Sequence, residues 1–171
     1  MKRSLPIRIF NRILHSLARN SPGATGLRLS LHRLRGVKIG NGVFIGDDVY
    51  LENEYPEAVE IQDGVQISVR VIIIAHTRGP GRVIIEKDAY VGPNTVIVTS
   101  GGRTLRIGEG AVIGPGVVIT NDVAPHMFVA NDSAKIVAKA RVPFTRAEKA
   151  EDFVRGLVPI RTRSRAGDVK K

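Results

Sequence analysis

The sequence predicts an all-β solenoid: a parallel β-helix of six-residue repeats over residues 39 to 123, with helical arms at both ends. Three observations predict it. Aliphatic residues recur every six positions, they come in sets of three, and turn formers lie between them. The sets are Ile39, Ile45, Leu51; Ile61, Ile67, Ile73; Ile85, Val91, Ile97; and Ile107, Ile113, Ile119. All twelve are Ile, Leu or Val, although the 18 Ile, 10 Leu and 21 Val make up only 49 of 171 residues. Chance would give such a run on the order of once in a million registers, so the period is a real signal.

A second lane supports the first. Four positions later sit small or β-branched residues, among them Val43, Val49, Val65, Val71, Thr77, Ala89, Thr95, Ala111, Val117 and Val123. Turn pairs separate the lanes: Asn41-Gly42, Asp47-Asp48, Asp63-Gly64, Pro93-Asn94, Glu109-Gly110 and Pro115-Gly116. Three short strands and three corners make one coil of about 18 residues, with each inward aliphatic stacked on its equivalent one coil away. A helix has no six-residue period, and a sandwich would show hairpins and strict alternation.

The coils are uneven. The sets start at 39, 61, 85 and 107, so the steps of 22, 24 and 22 exceed a plain coil. The extra residues fall near Asn53 to Glu60, His76 to Ile84, and Thr99 to Arg106. Each follows the third aliphatic of its set, so all leave by one edge. Insertions on one face of a solenoid commonly mark the binding face.

The arms differ from the coils. Ile7, Phe10, Leu14 and Leu17 stand at helical spacing, and residues 26 to 36 form a second amphipathic piece. The expected divisions are a basic cap over 1–36, the β-helix over 37–130, and a basic helical segment and tail over 131–171. Short helices are expected over Ala134 to Ala140 and Arg146 to Gly156. The apolar side of the first helix is expected to cover the open end of the stack. The other reading of that helix is a peripheral contact with an anionic membrane.

Net charge is +10, carried mainly by the arms. Such charge points to anionic partners. Nucleic acid is a poor fit, because the basic residues have little aromatic interleaving. No stretch is apolar enough to span a membrane, and no secretory signal follows the basic N-terminus, so a cytoplasmic location is expected. The absence of Cys excludes disulfides and Cys metal sites. A histidine zinc site needs three ligands, and the coils supply only His76, so no metal is expected.

Several segments carry a resemblance. Gly36-Val37-Lys38-Ile39-Gly40, Ile74-Ala75-His76-Thr77, Ile119-Thr120-Asn121-Asp122-Val123-Ala124-Pro125 and Val129-Ala130-Asn131-Asp132-Ser133-Ala134-Lys135 resemble the hexapeptide-repeat acyltransferases. The likeness is strongest to the small bacterial sugar O-acetyltransferases of capsule, lipopolysaccharide and exopolysaccharide pathways. It implies a left-handed β-helix, a homotrimer, and acetyl-CoA bound as acyl donor in the groove between neighbouring stacks. It departs from the usual closing motif at Asn131, Asp132 and Ser133.

Within that resemblance His76 is the expected catalytic base, since imidazole takes up protons near neutral pH. On position alone a solvated corner histidine would read equally well. Backbone N–H groups of Ser100, Gly101 and Gly102 are candidate donors for the oxyanion and the donor's acyl end. Thr120, Lys135 and Lys139 are candidates for CoA contacts, and Asn53 and Glu54 for the acceptor. A backbone carbonyl, Glu54 or Glu86 is the expected partner of the second imidazole nitrogen. His15, His32 and His126 are read as structural. Two other functions compete: N-acetyl transfer to an amino sugar, and a non-catalytic assembly module, which would need neither a coil-edge histidine nor the insertions.

Overall fold

The computed structural model describes residues 5–132, 136 and 138–159. The described residues divide into two compact units, the first ending at Asn131 and the second starting at Asp132.

The first unit is a parallel β-solenoid. Its coils are built from β1 (Lys38–Ile39), β2 (Phe44–Ile45), β3 (Tyr50–Leu51), β4 (Val59–Ile61), β5 (Gln66–Ile67), β6 (Ile72–Ile74), β7 (Arg82–Ile85), β8 (Tyr90–Val91), β9 (Val96–Val98), β10 (Thr104–Ile107), β11 (Val112–Ile113), β12 (Val118–Ile119) and β13 (Phe128–Val129). Three parallel sheets run up the stack in the orders β1-β4-β7-β10, β2-β5-β8-β11-β13 and β3-β6-β9-β12. Pairing between coils satisfies backbone groups that single short strands would leave open.

The register follows the sequence lanes. Ile39 pairs with Ile61, Ile61 with Ile85 and Ile85 with Ile107. Ile45, Ile67, Val91 and Ile113 form the second column, and Leu51, Ile73, Ile97 and Ile119 the third. All but the half-buried Ile39 are buried, and they fill one continuous aliphatic core. Burying each such side chain contributes about 1.5–3 kcal/mol. Past the last repeat position at Val123, β13 adds a further rung on β11.

The corners use left-handed backbone. The second member of each turn pair has positive φ: Gly42 (64°), Asp48 (55°), Gly64 (70°), Asn94 (57°), Gly110 (61°) and Gly116 (68°). Gly, Asn and Asp tolerate this conformation best, which is why they recur there.

Two helices precede the coils: α1 (Leu5–Asn20) and α2 (Leu27–Arg35), the latter closed by Gly36 in left-handed conformation. The face that α1 buries is not the expected one. It consists of Asn11, Leu14, His15 and Ala18, while Ile7, Phe10 and Leu17 are exposed. From α2, Arg28, Leu29, His32 and Arg35 are buried. The layer beneath the helices is polar because it satisfies backbone carbonyls of the first coil. Arg28 donates to the Ile45 carbonyl at 2.7 Å, and Arg35 to those of Leu51 and Glu52 at 3.2 and 2.8 Å.

The second unit pairs β14 (Ala138–Ala140) antiparallel with β15 (Leu157–Pro159), and α3 (Ala150–Arg155) lies between them in sequence. The helix expected within 146–156 is present. Of the one expected over 134–140, Ala138–Ala140 is a strand. The expected basic tail, from residue 160 onward, lies outside the described residues.

Candidate active site

The insertion edge brings two coils together around one carboxylate. Glu52 follows Leu51 at the end of β3 and is fully buried. Its Oε2 accepts hydrogen bonds from the Ala75 N–H and from His76 Nδ1, both at 2.7 Å. Its Oε1 accepts from the N–H groups of Glu54 and Tyr55 at 2.8 and 3.2 Å. One carboxylate therefore organises the start of the first insertion and the start of the second.

Burial alone would raise the Glu52 pKa. The His76 bond and the three backbone N–H donors outweigh it and hold the carboxyl below its ordinary range. Glu52 is thus ionised at neutral pH and can only accept. The proton of a neutral His76 then sits on Nδ1, and Nε2 presents its lone pair. The His76 side chain is 34% exposed, so the imidazole is not sealed in the core. The Tyr55 ring lies edge-on to the imidazole, with centroids 6.2 Å apart. A carboxylate that fixes the tautomer, joined to a partly exposed imidazole, makes a general base.

The second insertion rests on the third. The Thr77 hydroxyl donates to the Thr99 carbonyl at 2.9 Å, and Gly81 N–H to the Ala75 carbonyl at 2.6 Å. A Cβ on Gly101 would lie 2.2 Å from the Arg78 carbonyl oxygen, so only glycine lets the two loops approach. Gly102 N–H donates to the Pro80 carbonyl at 3.1 Å. In this structure Ser100-Gly101-Gly102 is a packing surface for the loop after His76, and the Gly102 donor is committed to that packing.

The other sequence candidates fall in different places. Asn53 is buried under α1. Asn11 Nδ2 donates to its backbone carbonyl, and its Oδ1 lies 3.1 Å from His15 Nδ1. Glu54 is at the surface, 3.4 Å from Arg8. Asn53 and Glu54 line a cavity with Leu5, Arg8, Ile9, Asn11 and Arg12. Thr120 is exposed at the end of β12. Lys139 is an exposed residue of β14 in the second unit, and Lys135 lies outside the described residues. Glu86, one of the expected histidine partners, instead faces Arg106 at 3.3 Å.

Sequence reasoning missed Glu52 as the partner. Simple coil counting sets His76 over Glu54, one step of 22 earlier. The signal that identifies Glu52 is a charged residue directly beside a core-lane leucine. It also missed the support behind Glu52. Arg35 is buried and holds the Leu51 and Glu52 carbonyls, while its Nε donates to Asn11 Oδ1 at 2.8 Å.

A groove over the third sheet is lined by Tyr50, Ile72 and Ile74 with Arg19, Asp48, Arg70 and Asn94. Among the described residues no group of three or more His, Asp or Glu is arranged to hold a metal ion.

Comparison with known proteins finds similarity to acetyltransferases. The 2,3,4,5-tetrahydropyridine-2,6-dicarboxylate N-acetyltransferases of Staphylococcus aureus strains JH9, JH1 and Mu3 are each 38% identical over 58 residues. That match is 34% of this chain and 23% of each relative, so the chain spans about a quarter of the relatives it matches. No family model and no solved structure matches the chain. The repeat, the parallel solenoid and this relative agree with the hexapeptide-repeat acyltransferase superfamily that the motifs resemble.

Proposed function

We propose that this hexapeptide-repeat protein is a CoA-dependent acyltransferase, moving an acetyl group from acetyl-CoA to a hydroxyl of a sugar or glycan. The observation that carries it is the Glu52–His76 pair, with His76 as base and Glu52 as its positioning residue. The acceptor oxygen attacks the thioester carbonyl carbon, and its proton passes to His76 Nε2. The C–S bond then breaks, and the same proton leaves on the CoA thiolate. No covalent acyl-enzyme is needed.

The donor is supported by the name of the relative, which is an acetyltransferase. The groove over the third sheet, with Arg19 and Arg70 on its border, suits a long ligand bearing phosphates. A homotrimer, implied by the resemblance, would set a neighbouring stack against this face. The hydroxyl acceptor rests on the motif resemblance. The relative transfers to nitrogen, as its name states, and this supports a second reading in which the acceptor is an amine.

The test is thiol release from acetyl-CoA, measured against a panel of sugars, amino sugars and amino-acid amines. Release with a sugar that has no amine upholds the first reading. Release with amines alone replaces it by the second. Failure of acetyl-CoA to bind at millimolar concentration in calorimetry overturns both.

A further inference from the structure

The first helix has two working faces. Its buried face carries Asn11 and His15 beside Leu14 and Ala18, and most of its large apolar side chains have no partner among the described residues. Leu5, Ile7, Ile9, Phe10, Ile13 and Leu17 are 51 to 67% exposed. At 100° per residue five of them, all but Ile7, fall on one arc of about 140°, opposite Asn11, His15 and Ala18. Arg8, Arg12 and Arg19 form a row between the apolar arc and the buried face.

The charge around this helix has one sign. Residues 1 to 46 contain nine Lys or Arg and no Asp or Glu. Arg8 meets Glu54 and Arg19 meets Asp48, both from the coils, in surface pairs that hold weakly. A second copy laid symmetrically on this face would bring two arginine rows together without an acid from either helix. Lipid phosphates meet the same row favourably, and acyl chains take the apolar arc. No helix among the described residues is long and apolar enough to cross a membrane, so the contact is peripheral.

We propose that α1 docks the protein on an anionic bilayer, lying in the interface with Ile9, Phe10, Ile13 and Leu17 inserted. This makes capping and docking properties of opposite sides of one helix. It is independent of the acyltransferase reading, since it involves neither His76 nor Glu52.

The test is flotation of the full chain with phosphatidylcholine vesicles containing about 30 mol % phosphatidylglycerol, against vesicles of phosphatidylcholine alone. Wild type is expected to float with the anionic vesicles, and to be released by about 0.5 M salt. Phe10→Ser with Ile13→Ser should bind about tenfold or more weakly while its melting temperature is unchanged, because both side chains are exposed. Arg12→Glu should weaken binding by a factor of about five or more. Absence of wild-type flotation, or undiminished flotation of the double variant, overturns the proposal. Loss of an oligomer in the double variant by sedimentation velocity, without wild-type flotation, would assign the face to a second copy.

Discussion

The histidine of the coil edge and the two histidines of the cap helices have opposite chemistry. His76 stands at the insertion edge against the ionised Glu52, with its side chain partly exposed. His15 and His32 lie on the buried faces of the cap helices among cations. Burial, followed by the Arg35 charge, lowers His15 to about 4 and His32 to about 3. His32 Nδ1 lies 3.0 Å from Arg35 Nη1, which can only donate, so protonating His32 would break that bond. An anion beside a partly exposed imidazole makes a base. A cation beside a sealed imidazole makes a neutral polar filler. The residue type is the same and the neighbours decide.

The largest expected effect breaks the pair at its reactive end. His76→Ala should lower acyl-transfer kcat by about a thousandfold. Its circular dichroism and sedimentation should remain as wild type, since the side chain is outside the core. Near wild-type turnover would remove His76 from the mechanism.

Next is the anion. Glu52→Gln keeps the shape but not the charge, and should lower kcat by about a hundredfold with little change in KM for acetyl-CoA. A change confined to KM would make Glu52 a binding residue instead. Glu52 also links to stability. Its folded pKa is depressed, so its contribution is present above the ordinary carboxylate range and lost as pH falls through the folded value.

The smallest effect sharpens the cap side. The unfolded chain protonates both cap histidines below about 6.5, but the folded chain does so only near 4 for His15 and near 3 for His32. Stability should therefore fall as pH drops between these values, by about 1.4 kcal/mol per pH unit for each histidine. Thermal unfolding followed from pH 7 to pH 5 measures that slope. In Arg35→Met the slope should shrink, because the cation opposing protonation is gone. That variant should also lose about 2–3 kcal/mol, through the carbonyls of Leu51 and Glu52 left without their donor. An unchanged slope would show that burial and the remaining cations, Arg19 and Arg28, hold both folded values below the measured range without Arg35.

The lanes were legible because a repeat is a statement about many residues at once. Each of the twelve aliphatics found its column, and the uneven steps placed the three insertions on one edge. His76 was legible as the coil-edge histidine. Its partner was not, because Glu52 leaves the lane and turns inward, which coil counting cannot follow. The first helix was legible as amphipathic, but which face is buried depends on what lies beneath it. Here that is a ring of first-coil carbonyls, which Arg28 and Arg35 satisfy better than an isoleucine would.

The spacing of the rungs has a consequence for how the molecule is made. Every column joins residues 22 or 24 positions apart, and the last rungs, Val112 to Phe128 and Ile107 to Val123, only 16. Each closure is therefore a short loop of nearly constant entropic cost, and the stack can grow one coil at a time. Glu52 and His76 belong to the first two coils. The contact between them closes a loop of 24 residues, no longer than a rung of the stack, so the pair costs no more chain entropy to form than the coils themselves.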